Sequence, residues 1–156
     1  TADDSLSINI AVNEMLKQNV DPAKLVVGVA KYGRGWSNVT GAQPFAGTGG
    51  AALNESGYWE AGIMDYKLIE SRYLGGDAEG DGINGWQHLY DDAAEAAYLW
   101  NADEKKLITF DSTRSVKAKS EYVVKHNLGG VFSWEIDADN GSILNAMHDG
   151  LGHPRQ

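Results

Sequence analysis

The chain has 156 residues, the size of one domain or of part of a larger one, and 42% hydrophobic with 22% charged residues is the balance of a folded polypeptide. Its longest strongly apolar run, residues 25–30, falls far short of the roughly 20 residues a membrane helix needs, which excludes a membrane-spanning helix. Thirteen Lys and Arg against 22 Asp and Glu leave a net charge of −9, which opposes binding to phosphate backbones, and the absence of cysteine removes thiolate metal sites, cysteine nucleophiles and disulfides.

Asp3-Asp4-Ser5 offers N-cap oxygens to a first helix, with Ile8, Val12, Met15 and Leu16 on one face. Asp21-Pro22 ends it. Residues 25–30 are apolar without alternation and read as a strand buried on both faces, as in a parallel sheet covered by helices. From residue 33 to about 102 the texture changes to short mixed segments separated by glycine clusters. Within it, residues 63–73 read as a helix. Residues 98–100 and 107–110 read as a hairpin, and the whole stretch as a small α+β insertion. Asp111-Ser112 caps a helix running to about His126, with Val116, Tyr122 and Val123 inward. Gly129-Gly130 then breaks that helix and Val131-Phe132-Ser133-Trp134 reads as a second buried strand. Ser142 starts a last helix with Ile143, Leu144, Met147 and Leu151 on its apolar face, ended by Gly152 and Pro154.

Without the insertion the order is helix, strand, helix, strand, helix, the alternation of βα units. Two strands leave edges unpaired and a face uncovered. The chain is therefore expected to be a sector of a larger α/β fold. Thr1 in place of Met fits a processed chain or a piece of a longer one, and no basic segment leading into an apolar stretch opens it, so no signal peptide is expected within it.

Functional groups of parallel α/β folds gather at the carboxyl ends of strands. The first strand ends in Lys31-Tyr32-Gly33-Arg34-Gly35-Trp36. Tyr32 and Arg34, two apart on an extended segment, share a side, and both donate hydrogen bonds. Either they bind a polar ligand, or Arg34 pairs with a carboxylate and the glycines make a bend. The second strand ends in Trp134-Glu135, and Trp59-Glu60 repeats the pairing. Such tryptophans are either core residues or flat platforms for a sugar ring. The four histidines, His88, His126, His148 and His153, lack metal-ligand spacing. Asp137-Ala138-Asp139-Asn140-Gly141 and the stretch from Asp77 to Asp81 are imperfect calcium loops, the second ending at His88 where a loop would need Glu. Dinucleotide, Walker and nucleophile-elbow motifs are absent.

Four ordered segments carry a resemblance. Lys24-Leu25-Val26-Val27-Gly28-Val29-Ala30-Lys31-Tyr32-Gly33-Arg34-Gly35-Trp36 is similar to the seventh barrel strand of family 18 glycoside hydrolases. Gly57-Tyr58-Trp59-Glu60-Ala61-Gly62-Ile63-Met64-Asp65-Tyr66 resembles a segment of their chitinase insertion domain. Leu107-Ile108-Thr109-Phe110-Asp111 with Arg114-Ser115-Val116-Lys117-Ala118-Lys119 resembles the exit from that domain. Residues 128–139 resemble the eighth strand. The resemblance, nearest to the bacterial chitinases, implies an α/β fold: the carboxyl-terminal sector of a (β/α)8 TIM barrel, its last two βα units. Residues 1–36 and 108–156 would belong to the barrel and residues 37–107 to an α+β insertion domain.

It further implies that Trp134 lies under the reacting sugar, with Tyr32 and Arg34 as its hydrogen-bonding neighbours. Trp59 would stack on a sugar further along the groove, and Glu60 and Glu135 would bind polar groups of the substrate. The implied partners are chitin and chito-oligosaccharides, together with the amino-terminal remainder of the enzyme, and neither nucleic acid nor membrane. The implied setting is secretion from a bacterium, with no metal or cofactor. The implied chemistry is retaining and substrate-assisted, an exception to the two-carboxylate scheme. The family's fourth-strand motif Asp-x-x-Asp-x-Asp-x-Glu, which carries the general acid, does not occur in these residues: Glu135 to Asp139 run in the wrong order and Asp91 to Glu95 are wrongly spaced. The acid is expected upstream, and the chain alone is expected to be inactive. The alternative is a chitin-binding lectin of the same fold whose acid is replaced. A self-contained small domain would need both faces of its strands sheltered by this chain.

Overall fold

The computed structural model describes residues 7–40 and 50–153. Among the described residues it holds two sheets. Strands β1 (Val26–Ala30) and β8 (Gly130–Trp134) pair in parallel, with Val26 opposite Gly130 and Ala30 opposite Trp134. The second sheet is antiparallel and contains β2 (Tyr32–Ser37), β3 (Ala51–Ala52), β4 (Ile63–Asp65), β5 (Gln87–Asp91), β6 (Ala96–Asn101) and β7 (Lys106–Phe110). Its order is β3-β2-β7-β6-β5, with β4 also paired to β2. The helices are α1 (Ile8–Lys17), α2 (Tyr66–Tyr73), α3 (Thr113–Lys125) and α4 (Ser142–Gly150). No described helix is long and apolar enough to cross a membrane.

The 25–36 stretch is two strands rather than one. The chain bends at Lys31, and β2 leaves the parallel pair for the antiparallel sheet. By sheet membership the change falls at Lys31 on the way in and at Asp111 on the way out, because β7 also belongs to the second sheet. The expected helix over 63–73 begins later: Ile63 and Met64 pair with Arg34 and Gly33, and the helix starts at Tyr66. The hairpin over 98–110 is present as β6–β7, and β5 extends it. The acidic stretch at Asp91 is the β5–β6 turn, where the Asp91 carboxylate accepts the Ala93 and Ala94 N–H groups.

Helix α1 is capped by Ser7, whose hydroxyl accepts the Ile10 N–H; Asp3, Asp4 and Ser5 lie outside the described residues. Of its apolar face only Val12 is buried. Helix α3 is capped by Ser112, with Val116 and Val123 inward, while Tyr122 is half-buried and donates to Asn9. On α4 the inward face is Ile143, Ala146, Met147 and Gly150, so Leu144 is exposed. The i, i+3, i+4, i+7 spacing of those four residues explains why Leu144 falls off the face.

Helices α3 and α4 pack closely. A Cβ at Gly150 would come within 2.5 Å of Ser120 Cβ and 2.6 Å of the Lys117 carbonyl. These are a helix backbone and a fully buried side chain, which cannot swing aside. Gly150→Ala is expected to destabilise the fold by about 1–3 kcal/mol through overpacking. Urea unfolding checks this, and an unchanged midpoint would show that the helices separate freely.

One core cluster joins Val116, Ile143, Ala146 and Met147 of the helices to Met64, Ile69, Leu99, Ile108 and Phe110 of the antiparallel unit. The parallel pair is sheltered on one face only. Val27 and Val29 are buried, whereas Val26 is 56% exposed and Phe132 54%. The expectation that residues 25–30 are buried on both faces is thus corrected: α3 covers one face, and nothing among the described residues covers the other.

Candidate functional site

The register of the parallel pair puts Val26, Gly28 and Ala30 on the same open face as Phe132 and Trp134. The Phe132 ring lies over Gly28, where an added Cβ would sit 3.2 Å from Cζ. Glycine there lets the ring lie against the strand. Trp134, at the carboxyl end of β8, is 63% exposed and so lies outside the core formed by the described residues. Two of the five tryptophans, Trp86 and Trp100, are buried, and the exposed pair is Trp59 and Trp134. The Lys31 N–H donates to the Trp134 carbonyl at 2.8 Å, which brings the start of β2 beside Trp134. The Trp134–Glu135 peptide is cis, and Glu135 is half-buried.

Tyr32 and Arg34 project from one face of β2 and line one groove of about 480 Å³. Thr109, Tyr98, Asp91 and Asp111 line it with them. Arg34 is exposed and pairs with no carboxylate among the described residues. The glycines between these side chains serve packing on the opposite face of the strand. A Cβ on Gly33 would meet Ile69 at 2.6 Å, and one on Gly35 would meet Met64 at 3.0 Å. Bulk is thus excluded on one face while polar groups stand out on the other.

Trp59 and Glu60 lie on the loop between β3 and β4, with Trp59 60% exposed and Glu60 exposed. The loop hangs from β2: the Leu53 N–H donates to the Gly35 carbonyl and the Gly35 N–H to the Gly62 carbonyl, each at 2.9 Å. Gly35 is no more than roughly 17 Å along the chain from Ala30. The groove that holds Tyr32 and Arg34 also takes in Ala30, the β1 partner of Trp134, but Trp134, Glu135, Trp59 and Glu60 are not among the residues lining it. Glu60 and Glu135 come from different loops and do not touch each other through a hydrogen bond.

Polar groups that sequence reading did not single out hold this arrangement. Lys31 and Asp139 form a buried ion pair at 3.0 Å. Asp139 also accepts the Ile143 and Leu144 N–H groups at the start of α4. Burial alone would raise the Asp139 carboxyl, but the Lys31 ammonium and those two N–H groups outweigh it and hold it below the ordinary aspartate value. Asp111 accepts the Ala30 N–H at 2.9 Å and the Lys119 ammonium at 2.6 Å, tying the end of β1 to α3. Helix α2 is tied to the segment after β8 by Lys67, which donates to the Asp137 carbonyl at 2.5 Å, and by Asn140, which donates to Glu70 at 2.6 Å. The candidate calcium loops are otherwise engaged: Asp139 serves Lys31, and Asp77 caps the Glu79 N–H. Among the described residues no three metal-ligating side chains converge.

With this geometry in place, the comparisons decide the family. The model of glycosyl hydrolases family 18 matches residues 1–139. The chain belongs to that family. It is similar to "Chitinase A" of Pseudoalteromonas piscicida, 51% identical over 150 residues, covering 90% of this chain and 18% of that protein. It is similar to a chitinase of Autographa californica nuclear polyhedrosis virus, 45% identical over 141 residues, covering 88% of this chain and 23% of that protein. In structure it matches a chitinase fitted into the Yersinia entomophaga toxin complex with a TM-score of 0.81 and 34% identity, covering 95% of this chain and 30% of that one. The family 18 chain thus spans about a fifth of the length of the first curated relatives it matches.

Proposed function

We propose that this chain forms the last two βα units of a (β/α)8 barrel with an α+β insertion over residues 37–107, and that it furnishes part of the chitin-binding cleft of a chitinase. The observation that carries this reading is the open inner face of β1 and β8, where Phe132 and Trp134 are exposed next to the Tyr32 and Arg34 groove. An apolar strand face left to water is unfavourable on a finished globule. The remaining barrel strands would cover its lower part, and a sugar ring would cover Trp134 at the carboxyl rim.

Trp134 serves as the floor of the reacting subsite, and Tyr32 and Arg34 donate to sugar oxygens beside it. Trp59 stacks on a sugar further out. Glu60 and Glu135 accept hydrogen bonds from hydroxyl or amide groups. A glutamic acid of the upstream barrel protonates the leaving oxygen of a β-1,4 N-acetylglucosamine linkage. The substrate's own acetamido oxygen then attacks the anomeric carbon, and water opens the resulting oxazolinium ion with retention. No residue of this chain takes the acid's part.

The test is turnover of labelled chito-oligosaccharide by the purified chain and by the complete polypeptide that carries the upstream acid motif. The chain alone is expected to release no product, while the complete polypeptide releases sugars of retained configuration. Cleavage by the chain alone would overturn the reading.

A further inference from the structure

The Trp59 loop is unusual in what lies beneath it. The loop is closed at its neck by the Gly62 N–H, which donates to the Leu53 carbonyl at 2.6 Å. Inside it, Glu55 spends both carboxylate oxygens on other elements. Oε1 accepts the Lys106 ammonium of β7 at 2.9 Å, and Oε2 accepts the Tyr73 hydroxyl of α2 at 2.8 Å, with Arg72 of α2 at 3.6 Å. Tyr73 in turn meets the Tyr58 hydroxyl at 2.6 Å, and Tyr58 directly precedes Trp59. Gly57, at φ +91, makes the turn between Glu55 and Tyr58 in the left-handed region that favours glycine. The hub is thus tied to two rigid elements, while the indole next to it projects into solvent.

We propose that Glu55 is the positioning residue of the Trp59 platform: it locks the loop over 54–61 to α2 and β7, so that the indole stands ready for a sugar before substrate arrives. This rests on the reading of Trp59 as a sugar-stacking residue given above. A fixed platform matters because an exposed side chain on a loose loop gives up part of its contact energy to ordering when ligand binds. Glu55 is suited to the task because charged hydrogen bonds are stronger than neutral ones and both of its oxygens are engaged. Its carboxyl is subject to burial, which raises its affinity for a proton. The hydrogen bonds from Lys106 and Tyr73 and the charges of Lys106 and Arg72 outweigh that and hold it below the usual glutamate value.

The experiment uses the complete polypeptide with Glu55→Ala, Trp59→Ala and the double variant. KM and kcat are measured on a chito-oligosaccharide long enough to reach Trp59 and on a short aryl glycoside confined to the reacting subsite. Hydrogen exchange of the 54–61 amides is followed in parallel. Glu55→Ala is expected to raise KM on the long substrate about fivefold, roughly 1 kcal/mol, with kcat on the short one unchanged. It should add nothing in the Trp59→Ala background, and the loop amides should exchange faster. Unchanged exchange, or an effect of Glu55→Ala that persists in full without the indole, would overturn the proposal. Faster exchange with a silent Trp59→Ala would support Glu55 as the lock and sink the sugar-stacking role of Trp59. Should Glu55→Ala fail to fold, Glu55→Gln keeps the shape, removes the charge and is read by the same outcomes.

Discussion

Asp139→Ala is expected to cost about 3–5 kcal/mol of folding stability, because it leaves the Lys31 ammonium buried without its counter-charge. Both side chains are almost completely shielded from water, so solvent does not replace the lost partner. A second loss adds to the first. Helix α4 begins after Gly141, which has no side chain to cap it; Asn140 accepts the Ser142 N–H, and Asp139 supplies the oxygens that accept the Ile143 and Leu144 N–H groups of the first turn. Denaturant unfolding of the wild type and the variant measures the difference, and a loss below about 1 kcal/mol would show that water enters the site. The same pair predicts an acid limb. The folded carboxyl of Asp139 lies below its ordinary value of 3.8, so the unfolded chain binds a proton first as pH falls. The stabilisation is complete above that ordinary value and is lost as pH drops through the lower folded one. Asp139→Ala should flatten this part of the stability–pH curve, since the group that titrates there is gone.

Trp134→Ala should have the opposite profile, with a large effect on substrate and a small one on folding. The residue is 63% exposed among the described residues and, as a platform at the carboxyl rim, would stay outside the completed core, so thermal unfolding of the complete polypeptide should barely move. If aromatic stacking on a sugar follows the scale measured for nucleic-acid bases, the lost contact is worth about 1–3 kcal/mol. That corresponds to a fall in kcat/KM of roughly five- to 150-fold. Steady-state kinetics beside a melting curve separates the two quantities. A large drop in melting temperature with normal turnover per folded molecule would place the indole in the core of the complete barrel and refute the subsite reading. Gly150→Ala is the contrast: it should lower stability and leave KM alone, because the α3–α4 contact touches none of the proposed binding residues.

Much of the architecture was legible in local pattern. The Ser112 cap of α3, its inward Val116 and Val123, and the β6–β7 hairpin all depend on residues close together in the chain. The pairing of Tyr32 with Arg34 on one side followed from strand geometry alone. The family motifs were legible for the same reason, being contiguous strings at strand ends. Other features were not, and each has a physical cause. Residues 63–65 have too few positions to distinguish a strand from the first turn of a helix, and pairing with β2 decides it. Residues 25–30 read as buried on both faces because apolar side chains show what a strand will bury when a partner is present, not whether the partner is there. Lys31 is a charge at the end of an apolar strand, and nothing nearby in sequence says that Asp139 will neutralise it. Glu55 is likewise ordinary until β7 and α2 converge on it. Short-range propensity and periodicity write the elements into the chain. Burial, ion pairing and the exposure of a given indole are properties of distant segments meeting, and they exist only once the chain has folded.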